Sequence, residues 1–399
     1  MNHSISNNKK KLLAVLLFLS MSISMTGCNG IYNSYREIDT LQLIQTLGID
    51  WIGSAVEMTV STGQGLEDQP SVAISRRGET IASAIGEIQN YSSKEDLFFA
   101  HARFVVLGEA AAKELLPEFL DFMARSAKLK MDMTLFVVNA SNAKGLLTLD
   151  GEKGYNATEG LASIEKVARR SGIAYPFTGI DVISSLSEYG SALICAISPV
   201  QMEDSVFTED GGSITSAPAG YAIIKDGALC AYLDTECSRG ATILMNKTGY
   251  GAIPLEINEG AYVTVYTEDS SADYTARWGD DGSLEGLSVD VKLSCGLVEV
   301  SDKLNYSESE LLSAISKTLE EKLLKDVSAV LYASKELESD FLGLKGVLRS
   351  KYPKEMSLLG SDFPSLLPDI DLDVRASCDV TRNYDFEHAA TLLKGDRMP

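Results

Sequence analysis

Apolar and polar positions along the chain fall into patterns that predict alternating strands and helices. Thr46–Ile52 and Ala55–Thr62 alternate as strands about a Gly53-Ser54 turn. Gly63–Ser71 reads as a loop, and Thr80–Gln89 as an amphipathic helix with Ile81, Ile85 and Ile88 on one face. A strand at Phe104–Leu107, a helix over Ala110–Ala127 and a strand at Thr134–Asn139 follow. The helix stripe is Leu115, Leu116, Phe119, Leu120 and Met123. A helix near Ala157–Arg170 and a strand near Ala192–Ile197 complete a βαβαβ-like order, which predicts a mixed α/β lobe.

Gln201–Pro218 is polar and rich in turn residues, so it marks a first boundary. Gly220–Lys225, Asp226-Gly227 and Ala228–Leu233 form a hairpin signal, because the favoured two-residue turn needs positive φ at both centres. Thr267–Gly286 is again polar and acidic, and predicts a second boundary or a large hairpin tip. Strands at Leu287–Leu293 and Gly296–Val300 precede a helix from about Ser307 to Leu337. Leu312, Ile315, Leu319, Leu323, Val327 and Val330 line one face of that helix, first of all as core packed on a sheet. A helix over Asp340–Ser350 and a strand over Ile370–Ser377 close the pattern. The expected fold class is α+β, with about three mixed lobes, each a sheet with packed helices. The expected division is 1–27, a cleaved signal; 28–34, a tether; 35–200, an N-terminal α/β domain; 218–270, a middle β-rich domain; and 285–388, a C-terminal α/β domain with the long helix.

The first thirty residues change the picture. Lys9, Lys10 and Lys11 precede an unbroken apolar run, Leu12–Leu19, and then Met25-Thr26-Gly27-Cys28. Basic, apolar and small-residue segments in that order make a secretory signal. The run is too short for a membrane span, which needs about 20 apolar residues. The cysteine at the cleavage point resembles a bacterial lipobox, with Cys28 as the expected lipidation site. A plain secretory signal or an N-terminal anchor helix is the competing reading. Two acyl groups hold a protein durably where one does so only marginally. The chain has 399 residues and a net charge of −21, from 35 basic and 56 acidic residues. Removing residues 1–27 takes away three lysines and no acid, leaving a still more acidic body. Such a body is repelled by phosphate, so nucleic acid is not an expected partner, and lipid rather than a basic patch would hold it at a membrane.

Candidate chemistry is sparse. Cys195, Cys230, Cys237, Cys295 and Cys378 remain after Cys28; none forms a C-x-x-C pair. They read as small buried apolar residues, with Cys230–Cys237 the nearest disulfide candidate. His101 and His388 are the only histidines beyond the signal, too few for a His-rich metal centre or a Ser-His-Asp triad. His101, in Phe98–Leu107, reads as a satisfied histidine at the entry of a buried strand. Asp369, Asp371 and Asp373 have the spacing of a calcium loop, but Val374 stands at the required glycine and Val380 at the closing glutamate. Carboxylates abound, and pairs among 56 of them carry little weight. No residue is expected to be catalytic, to hold a cofactor or to ligate a metal.

An ordered set of residues resembles the C-subunit lipoproteins of bacterial spore germinant receptors, the Ger(x)C family. After the lipid cysteine come Arg36-Glu37-Ile38 and Gly48-Ile49-Asp50, then Gly78, His101, Gly108-Glu109 and Arg125. The second half adds Gly220-Tyr221-Ala222, Lys225-Asp226, Leu229, Glu236, Gly240 and Asn246-Lys247, then Glu299 and Asp340-Phe341-Leu342-Gly343. Asn29 stands where the family commonly has Trp, and Lys130 where it has Arg, which marks a divergent member. The resemblance implies a non-enzymatic, three-domain protein on the outer face of the spore inner membrane. It would be held in the bilayer by diacylglyceryl and N-acyl groups on Cys28 and associate with polytopic receptor A and B subunits. Small nutrients would trigger the complex. A solute-binding lipoprotein of a transporter is the alternative, and an envelope hydrolase using carboxylates a third.

Overall fold

A computed structural model describes residues 41–62, 72–92, 96–148, 157–199, 216–247 and 249–382, with short breaks at 302–303, 305 and 360–361, and residues 11, 12, 15 and 18. The lipobox, Arg36-Glu37-Ile38 and His388 lie outside the described residues. The chain divides into two units. One takes in residues up to Gln42 with Ser92–Leu97. Strands β1 (Leu41–Leu43) and β5 (Asp96–Phe98) pair there as a two-stranded sheet.

The other unit holds two larger sheets. In chain order its first strands are β2 (Thr46–Ile52), β3 (Ala55–Ser61), β4 (Ala73–Gly78), β6 (Phe104–Gly108), β7 (Thr134–Val138), β8 (Ser191–Pro199), β9 (Ser216–Lys225) and β10 (Ala228–Leu233). They form one eight-stranded sheet, ordered β10-β9-β8-β7-β6-β2-β3-β4. The middle four run parallel, and hairpins flank them on both sides. β6 and β7 are buried along their whole length, as parallel strands covered on both faces require. The covering helices are α1 (Ile81–Tyr91), α2 (Glu109–Glu114), α3 (Leu116–Arg125), α4 (Ala143–Thr148), α5 (Ala157–Ser171), α6 (Gly179–Tyr189) and α7 (Thr235–Leu244).

The second sheet is ordered β11 (Ala252–Asn258), β12 (Ala261–Trp278), β13 (Leu284–Val300) and β14 (Asp371–Arg382). The first three are antiparallel neighbours, and β14 joins parallel to β13. The long helix α8 (Glu308–Glu336) crosses this sheet, followed by α9 (Leu344–Lys351), α10 (Pro353–Leu358) and a 3₁₀ turn at Pro364–Asp369. Ile315, Leu319, Leu323, Val327 and Val330 of α8 are buried. At 1.5 Å per residue the helix is ~44 Å long. Ser307 caps it, with its backbone N–H bonded to Glu310 at 3.1 Å. One continuous apolar core runs from β6–β8 through α5 and α7 to β12, β13 and α8.

Several expectations change. The expected helix over Ala110–Ala127 is two helices, broken at Leu115 (φ −130°), with Pro117 starting the second where its missing N–H costs nothing. Thr267–Gly286 is a hairpin tip: β12 runs to Trp278 and β13 begins at Leu284. Leu287–Leu293 and Gly296–Val300 fuse into that one strand. The strands of the expected middle segment, 218–270, divide, β9–β10 completing the first sheet and β11–β12 opening the second. His101 is exposed, in a turn before β6, with its ring 5.8 Å from that of Phe98. It thus stands at the entry of the buried strand β6, but exposed rather than enclosed.

Candidate functional site

The signature residues gather where helices end against sheets. Asp50 on β2 stands level with Gly108 on β6, since the register pairs Ile49 with Leu107. Gly108 is required there because a Cβ would run into the Asp50 carboxylate. Asp50 is 3% exposed. Its two oxygens accept the N–H groups of Ala143 and Lys144, each at 2.8 Å, the first two amides of α4. These amides have no partner within the helix, so the carboxylate supplies one and meets the positive end of the helix dipole. Burial raises the Asp50 pKa, and the amide bonds pull it part of the way back.

Glu57 faces Asp50 across β2 and β3 and is also buried. It accepts from Lys144 Nζ at 2.9 Å and Arg77 Nε at 3.2 Å. Next to this group, Glu109 accepts the Ala140 N–H at 2.7 Å and a Lys113 Nζ bond. The lysine bond is the chief reason its pKa is lowered. The ends of β2, β6 and β7 thus carry a polar cluster whose acids are spent on helix amides and cations.

A second convergence lies between the two sheets. Asp340 is fully buried and accepts the N–H groups of Leu344 (2.7 Å) and Lys345 (2.9 Å), capping α9 as Asp50 caps α4. Burial pushes its pKa up to about 7, against the bonds from those amides. Lys225 Nζ donates to the Leu337 carbonyl at 2.7 Å, closing the C-terminal end of α8. Asn246 ends α7 at φ +54°, and its side-chain amide pairs with both backbone groups of Ala272 on β12, at 2.8 and 3.2 Å. The Tyr221 hydroxyl accepts from the Tyr175 N–H and contacts Thr242 Oγ1 at 3.0 Å. Gly220, at φ +97°, sits where a Cβ would strike the Leu233 carbonyl. Tyr189, Asn246, Lys247, Phe341, Leu342 and Gly343 line a cleft of about 230 Å³ at this junction.

Other predicted residues sit apart from both clusters. Arg125 is exposed and pairs with Asp121 at 2.8 Å within α3. Glu299 is exposed on β13. Glu236 pairs with Lys322 of α8 at 3.1 Å. Cys195, Cys230, Cys237, Cys295 and Cys378 are free thiols, and Cys230 is exposed rather than buried. The Cys230–Cys237 bridge is therefore absent. Among the described residues, no group of three or more His, Cys, Asp or Glu is placed to hold a metal. Nor is any helix among them long and apolar enough to cross a membrane.

Residues 34–199 match the family described as "Spore germination protein N-terminal domain". Residues 219–384 match the one described as "Spore germination B3/ GerAC like, C-terminal". The chain belongs to the spore germination GerAC family. It is similar to the spore germination protein KC of Bacillus subtilis (strain 168), with 25% identity over 418 residues, covering 94% of this chain and 96% of that protein. The crystal structure of the GerBC protein shares its fold at a TM-score of 0.54 and 17% identity, covering 84% of this chain and 96% of the other. In this GerAC chain the Asp50 cap could not be read locally, since Asp50 and Ala143 lie far apart in sequence. Asp340, four residues ahead of Leu344, carried a weak N-cap signal.

Proposed function

We propose that the chain is the C subunit of a spore germinant receptor, a non-enzymatic interaction module that supports nutrient-triggered germination. The observation carrying this reading is the pair of GerAC family matches, which together run from residue 34 to residue 384. They favour the receptor over the solute-binding lipoprotein of a transporter. A non-enzymatic role is supported by the saturation of Asp50, Glu57 and Asp340, whose carboxylates are committed to helix amides and lysine or arginine partners.

Anchoring is assigned to Cys28, acylated with diacylglyceryl and N-acyl groups, on the extracytoplasmic face of the spore inner membrane. The basic, apolar and small-residue order of residues 9–28 supports it. Receptor A and B subunits are the proposed partners. Tagged protein, gently solubilised from membranes of its sporulating host, should bring down two polytopic subunits. Recovery of an ATPase with its permease instead would move the assignment to a transporter. Cys28→Ala should shift the protein from the membrane to the soluble fraction, and undiminished attachment would remove the lipid anchor from the proposal.

A further inference from the structure

The chain carries a net charge of −21, yet one end of its first sheet gathers cations. Arg103 stands just before β6 and Arg169 in the last turn of α5; both approach Glu165, at 3.6 and 3.9 Å. Arg169 also lies over the Tyr175 ring, 5.0 Å from its centroid, and Lys247, just past α7, lies over the same ring at 4.6 Å. Glu165 and Tyr175 thus tie Arg103, Arg169 and Lys247 into one group, which the exposed Lys166 and Arg170 of α5 extend. Against these cations stands Glu165, itself bonded to Thr134 Oγ1 at 3.0 Å. Asp181, which shares the junction cleft with Lys247, is spent on the N–H and hydroxyl of Thr178, at 2.9 and 2.6 Å. The Thr134 N–H donates to the Arg103 carbonyl at 2.9 Å, and in the exposed loop leading to it Lys128 and Lys130 outnumber Asp132.

Position and composition narrow the partner. The Arg103 N–H donates to the Gln45 carbonyl at 2.9 Å, directly before β2. The cations therefore lie at the end of the sheet where the chain arrives from Cys28. Residues 29–42 span at most about 50 Å even if fully extended. Apolar groups accompany the charge. Val167, 47% exposed, sits between Lys166 and Arg170 on α5. Tyr250, 61% exposed, follows Gly249, whose backbone packs on Gly172 just beyond α5. Valine and tyrosine among lysines and arginines suit the headgroup layer of a bilayer, where cations meet lipid phosphates and an amphipathic ring rests at the interface. A phosphate in solution would use the cations but leave Val167 and Tyr250 in water. The rest of the acidic body is repelled by the same surface that attracts this end, so the two effects turn it the same way.

We propose that this face lies against the anionic headgroups of the bilayer that holds Cys28, turning the acidic remainder of the body away from the lipid. The proposal rests on the lipid-anchor reading and adds an orientation to it. The full chain, purified from host membranes, is reconstituted with vesicles of phosphatidylcholine alone or mixed in equal parts with phosphatidylglycerol. Flotation reports attachment. A membrane-impermeant amine-acylating reagent then labels the lysines, and peptide mass spectrometry reads each one. Lys166 and Lys247 should label at least threefold more slowly on the mixed vesicles than on phosphatidylcholine, while the exposed Lys354 of α10 labels equally on both. High salt should abolish the difference, because the attraction falls off within a Debye length. Arg170→Glu, at an exposed position that keeps the fold, should at least halve the protection of Lys166. Flotation with both vesicles but no lysine difference, or an equal fall at Lys354, would overturn the orientation and leave the anchor standing. Flotation with the mixed vesicles alone would support the face and remove the anchor, and flotation with neither would overturn both. Protection in host membranes that is absent from the mixed vesicles would assign the face to an acidic protein and likewise overturn the proposal.

Discussion

Asp340→Asn tests which of two opposed effects governs a buried helix cap. The carboxylate receives two amide bonds at the N-terminus of α9, an arrangement that favours the charged form. Burial disfavours that form and prevails, raising the pKa from an ordinary 3.8 to about 7. The sign of the pH dependence follows from linkage. Below pH ~4 the group is protonated in both folded and unfolded chains and adds nothing. As pH rises towards 7 the unfolded chain releases this proton while the folded chain holds it, so stability falls. Above the folded value the loss is complete. A shift of roughly three units, at about 1.4 kcal/mol each, bounds the loss at ~4 kcal/mol. Asparagine preserves the shape and one acceptor but does not titrate. Other carboxyls titrate alike in both proteins, so the difference between wild type and variant isolates this group. Urea titrations from pH 4 to pH 8 measure it, read through tryptophan fluorescence. One of the two tryptophans, Trp278, packs edge-on to Tyr352 at the end of α9, with ring centroids 5.8 Å apart. Wild type should lose ~2–4 kcal/mol relative to the variant across that range. A flat difference, or one in which wild type gains as pH rises, would refute the claim that desolvation outweighs the amide bonds.

Other substitutions probe the remaining joints. Asn246→Ala removes both bonds to Ala272 and places a β-carbon at positive φ without a compensating side chain; thermal melts should show a loss of about 1–3 kcal/mol, and Asn246→Gly less. Gly220→Ala drives a Cβ into the Leu233 carbonyl at φ +97°, and should destabilise by at least ~2 kcal/mol in chemical denaturation. Lys225→Met keeps the aliphatic stem but removes the donor to Leu337, and should cost ~0.5–1.5 kcal/mol by the same assay. A loss within error for Lys225→Met would mean that water satisfies the end of α8 equally well.

The strongly periodic elements were legible in the sequence. The stripe on α8 and both of its ends, at Ser307 and Leu337, follow from spacing and capping. The turns at Gly53-Ser54 and Asp226-Gly227 follow from glycine and aspartate between apolar runs. Less was visible where burial is one-sided or side chains are small. The outer half of β12 alternates buried and exposed residues, and its exposed set (Asp269, Ser271, Asp273, Thr275) makes the stretch read as a polar boundary. Helix α7 packs on α8 through Gly240, which rests against the Asp326 backbone, so close approach replaces an apolar stripe. At the clusters, sequence order gave the right residues but not their work. Asp50 and Gly108 act on one another through a strand pairing, and Asn246 acts on a strand 26 residues further on.

Beyond Thr267, β12 runs past the end of β11, so Asp269–Trp278 has no neighbouring strand on that side among the described residues. Asn246 occupies both backbone groups of Ala272, and Lys351 donates to the Tyr274 carbonyl at 3.0 Å. Side chains thereby fill hydrogen-bonding positions that another copy of the chain would otherwise take. An open rim of this length is a template for strand addition, and proteins guard against it with charges and blocked backbone groups. Such plugs keep the sheet of one copy from zipping onto that of the next. The asparagine at the end of α7 is thus a safeguard of solubility as well as a joint.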